Sequence, residues 1–141
     1  MITDYLGLLK ADGTATGVTA TEAGSVLLTK DATTGKRVLD IRKTGQKGLP
    51  VVVISGTDAG NSADSTWTVT IEACASYTDW TDKETVATFP AESFGSAGTL
   101  MVRRIHTQLR YIRSVITVTG TIGTSSKSFL IFVGHELMNL G

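Results

Sequence analysis

Apolar and polar residues alternate most strictly between residues 66 and 73. Trp67, Val69, Ile71 and Ala73 fall on one side of an extended chain, and Thr66, Thr68, Thr70 and Glu72 on the other. A period of two sends successive side chains to opposite faces, so this stretch predicts a half-exposed antiparallel strand. Residues 109–119 form a longer extended stretch rich in β-branched and aromatic side chains, which suit a pleated surface. Its Ile112, Ser114, Ile116 and Val118 face reads as core, and its Tyr111, Arg113, Val115, Thr117 and Thr119 face as mixed. In residues 50–55, Val51, Val52, Val53 and Ile54 are apolar on both faces, which predicts a strand covered on both sides. Pro50 suits its first position. Residues 128–133 behave alike, because Phe129, Ile131 and Val133 alternate with Leu130 and Phe132. One of those faces fits the core. The other needs cover from the N-terminal arm or from a second subunit, which makes Leu130 and Phe132 candidate oligomer contacts.

Further apolar runs at 25–29, 37–41, 85–89 and 99–105 bring the number to eight. Turn-forming Gly, Asp, Asn and Ser separate them, and no long helix is evident. This pattern predicts an all-β sandwich or barrel. The long middle loops favour Greek-key connections, and an eight-stranded, jelly-roll-like antiparallel sandwich matches the count. Residues 1–10 are ambiguous. Ile2, Tyr5, Leu6 and Leu9 suit one face of a helix, but Gly7 weakens it; an arm packed on the domain or on a neighbour fits equally. Residues 11–17 are small and polar, and 18–21 suit a short edge strand. The expected organisation is an arm and linker over 1–17 and one β-domain over 18–141. Its core is expected to hold Trp67, Val69, Ile71, Ile112, Ile116 and Val118.

Charge narrows the function classes. The 13 Lys and Arg balance the 13 Asp and Glu, so the basic excess of a general nucleic-acid binder is missing. No apolar run approaches the roughly 20 residues that span a bilayer, and residues 1–5 carry no basic-plus-apolar leader. A chain of this length can bury about 70% of its unfolded surface, enough to fold without metal or disulfide. Cys74, the single cysteine, excludes an internal disulfide and fits a reducing compartment.

Candidate chemistry changes little. The Gly-x-Ser-x-Gly elbow of hydrolases is absent, and His106 and His135 lack partners at zinc spacing. The oxygen-rich residues 56–64 lack the spacing and terminal Glu of a calcium loop. No Gly-rich segment ends as a phosphate loop. No catalytic residue, metal ligand or cofactor site is therefore expected, and the chain is not expected to be an enzyme. Arg110 and Arg113 are expected on opposite strand faces, which weakens a phosphate-binding stripe. If alternate loops gather at opposite ends, Arg42, Lys43, Lys47 and Arg104 would face Asp79, Asp82 and Glu84. Tyr77 and Trp80, beside those carboxylates, form the alternative site: an aromatic platform for a sugar on a carbohydrate-binding β-sandwich module.

Several segments carry a resemblance. They are Met1-Ile2-Thr3-Asp4-Tyr5-Leu6, Val18-Thr19-Ala20-Thr21, Arg110-Tyr111-Ile112-Arg113, Thr119-Gly120-Thr121 and Ser128-Phe129-Leu130-Ile131-Phe132-Val133. In their order and in chain length they resemble the head cement, or capsid decoration, proteins of tailed bacteriophages, a jelly-roll class. The resemblance implies a homodimer or homotrimer on the outer surface of the phage head, made in the host cytoplasm and carried on the virion. Its partner would be the major capsid protein, whose neighbouring copies it would bridge, and it would have no nucleic-acid or membrane partner. Ile2, Tyr5, Leu6 and Leu9 of the arm are then the candidate capsid contacts. A ligand that binds only the assembled shell stabilises that shell by mass action.

Overall fold

The computed structural model describes residues 8–10, 15–16, 22–23, 38–42, 48–59, 66–93, 99–119 and 126–134. Among them are ten strands: β1 (Leu8–Lys10), β2 (Ala15–Thr16), β3 (Glu22–Ala23), β4 (Leu39–Asp40), β5 (Leu49–Ala59), β6 (Thr66–Cys74), β7 (Glu84–Ser93), β8 (Leu100–Ile105), β9 (Tyr111–Thr119) and β10 (Ser126–Val133). They form two antiparallel sheets. Sheet one runs β1-β10-β5-β8, with β2 also on β10; sheet two runs β3-β9-β6-β7, with β4 also on β9. The protein is an all-β sandwich. Seven of the expected apolar runs coincide with β4 to β10; the run at 25–29 and the edge strand at 18–21 lie outside the described residues.

The period-two pattern decides which faces meet. On β6, Trp67, Val69, Ile71 and Ala73 are buried while Thr66, Thr68 and Thr70 are half-buried. Ile112, Ser114 and Ile116 of β9 are buried beside them. Across the sandwich stand Val51 and Val53 of β5 and Phe129 and Ile131 of β10. The Trp67 and Phe129 rings meet at 6.4 Å, tilted by 54°, within the range of favourable aromatic packing. Five of the six expected core residues lie in this cluster; the side chain of Val118 lies outside the description.

The arm differs from expectation. β1 pairs with β10, Leu8 opposite Phe132, and Leu9 is 0% exposed inside the central core. Strand pairing, rather than a helix, satisfies the backbone of residues 8–10, and their period of two turns Leu9 inward. Leu9 is therefore a core residue and offers no capsid contact. Ile2, Tyr5 and Leu6 lie outside the described residues.

Candidate functional site

Two outer surfaces hold the expected candidates. The first is the outer face of sheet one. Registers across β8, β5 and β10 line up Leu100, Ile54 and Leu130 in one row, and Val102, Val52 and Phe132 in the next. All six positions are apolar because β5 and β10 are apolar on both faces and β8 continues the pattern. Burial falls across the rows. Phe132 is 0% and Val52 4% exposed, Ile54 and Leu130 are half-buried, and Leu100 and Val102 stand 51% and 50% exposed. Phe132 is thus covered within a single chain, which removes it as an oligomer contact on its own. Leu130 keeps part of its surface. Among the described residues the most open aliphatic surface lies instead on β8, at Leu100 and Val102. The sequence signal for this face is the alternation of Leu100 and Val102 with Met101 and Arg103.

The second surface is the outer face of sheet two, where residues 75–83 fold back over β6 and β9. Ser76 Oγ accepts hydrogen bonds from the Thr78 and Asp79 N–H groups at 3.2 and 3.1 Å. Asp79 Oδ1 accepts from the Thr81 hydroxyl and N–H at 2.6 and 3.0 Å. These short-range bonds hold Asp79 below the usual carboxylate range, the Thr81 hydroxyl contributing most. The thiol of Cys74 donates to the Asp79 carbonyl at 3.1 Å, so Cys74 is a buried structural residue. Trp80 Nε1 donates to the Tyr77 carbonyl at 3.1 Å. A small apolar cluster of Val38, Cys74 and Trp80, with Tyr111 against it, fills the space beneath.

This cap buries a charge pair. Glu72 and Arg113 are directly opposite in the β6–β9 ladder, and Arg113 Nε donates to Glu72 Oε2 at 2.8 Å. Lys83 reaches Glu72 Oε1 at 2.9 Å from the rim. The Arg113 guanidinium lies 4.2 Å from the centre of the Trp80 ring, a close cation–π arrangement. Glu72 was expected on the wet face of its strand; the cap makes it a buried, paired residue. Trp80 was expected to offer its ring to a sugar. The ring instead covers Arg113 and is only 8% exposed. Tyr77 is exposed but leans on Tyr111, with centroids 5.7 Å apart. The two aromatics therefore do not form an open stacking platform.

Residues 40–42, 48–49, 74–84 and 105–111 gather at one end of the sandwich, as alternating loop ends predict. Two contacts formed there lie outside the expected set. Asp40 takes Arg110 bidentately, with Nε and Nη2 at 3.0 and 2.7 Å. This bond holds the Asp40 carboxyl below its usual range, with smaller help from the Arg42 N–H and charge. Glu84 accepts from the Thr107 hydroxyl at 3.2 Å. Lys43 and Lys47 lie outside the described residues. No protein-family model matches the chain, and no curated protein matches it.

Proposed function

We propose that this protein is a structural virion protein that binds the outer surface of a tailed-phage head and bridges its major capsid subunits. The single observation that carries the binding part is the apolar outer face of sheet one, open at Leu100 and Val102. Contiguous exposed apolar surface marks contact with another protein. The capsid is named by the segments that resemble cement proteins. The charged groups fit this reading, since Glu72 pairs with Arg113 and Asp40 with Arg110 inside the chain.

The strand order supports reading the fold as an eight-stranded jelly roll. β1 and β2 lie along one edge of β10, and β3 and β4 along one edge of β9. Counting each pair as one interrupted strand leaves eight. The first then neighbours the eighth, the second the seventh, the third the sixth, and the fourth the fifth. That nesting is an antiparallel ribbon wrapped into two sheets, the jelly-roll pattern. Fold alone does not fix function, so the test is direct. Purified protein is mixed with undecorated, expanded heads of its own phage and sedimented. Co-pelleting at a fixed copy number per capsid subunit, weakened by Leu100→Asn, supports the reading. Protein left in the supernatant beside intact heads refutes it. Self-association as a dimer or trimer belongs to the same proposal and is measured by light scattering at micromolar protein.

A further inference from the structure

β8 is the last strand on its side of sheet one, and among the described residues it pairs only with β5. Its register runs without a bulge from Leu49 opposite Ile105 to Ile54 opposite Leu100. The phase of this ladder is fixed just beyond it, where the Ser55 N–H donates to the Thr99 carbonyl at 2.9 Å. Hydrogen-bonded and non-hydrogen-bonded pairs alternate along an antiparallel ladder. Met101, Arg103 and Ile105 therefore turn their backbone groups toward β5. Leu100 and Val102 turn their N–H and C=O toward the side away from β5, where no strand pairs with β8 among the described residues. These are also the two residues whose apolar side chains stand half exposed on the outer face.

Natural edge strands are usually blunted by Pro, bulges or charge. Residues 100–102 carry no Pro or charge, and the strand's charges are Arg103 and Arg104. With two arginines and no carboxylate, β8 is a poor partner for itself, since a second copy would set like charges along one seam. An antiparallel strand added at this edge would place a residue opposite Arg103 in a non-hydrogen-bonded pair, where side chains approach most closely. A carboxylate fits that position.

We propose that β8 accepts one extended, antiparallel segment of the capsid subunit, apolar where it faces Leu100 and Val102 and acidic where it faces Arg103. This is strand addition to a sheet edge: main-chain bonds supply affinity, and alternate side chains supply selectivity. The source of the segment rests on the capsid reading above; the edge chemistry does not.

The test uses the full chain and the probe peptide acetyl-Thr-Glu-Val-Thr-Val-Thr-amide. Binding should slow amide exchange at Leu100 and Val102. Val102→Pro removes an N–H that faces away from β5, a position where an edge strand tolerates proline, and should weaken binding about tenfold. Exchanging Glu for Lys in the peptide should weaken it about fivefold. Should Val102→Pro fail to fold, Arg103→Glu serves instead and should reverse the preference between the two peptides. An absence of binding at millimolar peptide, protection elsewhere, or a dimer of the native protein that Val102→Pro dissolves overturns the proposal. On heads, the native protein should pellet and Val102→Pro should pellet about tenfold more weakly. Equal pelleting of both overturns the edge while leaving head binding intact. Failure of both to pellet removes the capsid as partner and with it this proposal.

Discussion

Replacing Arg113 with Met should destabilise the protein by about 3 kcal/mol, near the lower end of the 3–5 kcal/mol expected when a buried ion pair loses one partner. The pair is well excluded from water, with side-chain exposures of 9% for Arg113 and 8% for Glu72. At an effective dielectric near 20, unit charges about 4 Å apart attract by about 4 kcal/mol. Most of that attraction offsets desolvation, so the cost of Arg113→Met is chiefly that of leaving the Glu72 carboxylate buried. Lys83 limits the damage because it already reaches the other carboxylate oxygen at 2.9 Å. Its own pairing is worth at most about 1 kcal/mol, since the Lys83 side chain is 44% exposed. Glu72→Leu should cost a similar amount by stranding the guanidinium under Trp80. The double substitution Glu72→Leu with Arg113→Met removes both charges and should lie within about 1 kcal/mol of the native protein. Urea unfolding followed by far-ultraviolet circular dichroism gives all four corners of the cycle without relying on Trp80 emission. Single variants within about 1 kcal/mol of native, with additive effects in the double, would refute the assignment of a desolvated pair beneath the cap.

Three further outcomes follow from local geometry. The Ser114 hydroxyl is buried and makes no hydrogen bond among the described residues, so Ser114→Ala should be neutral or stabilising by up to about 1 kcal/mol in the urea midpoint. A Cβ at Gly56 would collide with Ser128 Oγ across the β5–β10 ladder; Gly56→Ala should cost about 1–3 kcal/mol, and pairing it with Ser128→Gly should recover part of that in thermal denaturation. Asp40 is held below its ordinary pKa of 3.8, mainly by its hydrogen bond to Arg110. Its stabilising contribution is therefore full above that ordinary value and is lost as pH falls through the lower folded value; Asp40→Asn should flatten this part of the acid-unfolding profile.

Sequence by itself determined the longer strands, β5 to β10, because a period of two is a local property and burial of one face selects it. The alternation around Trp67, the core face of residues 112–116 and the two-sided apolar character of Val51–Ile54 all carried through to the sandwich. Tertiary structure decided what happens on the outer faces. Glu72 and Thr70 look alike in the pattern, yet only Glu72 is buried, because residues 75–83 return over that end of sheet two. Trp80 has the chemistry of a sugar platform, and its ring is committed to Arg113 by a register that pairs residues 41 positions apart. Phe132 and Val102 are both apolar residues on strands of one sheet. Phe132, on a strand inside the sheet, is covered, and Val102, on the edge strand, is half exposed. Strand order is fixed by long-range pairing, which no local window of sequence contains.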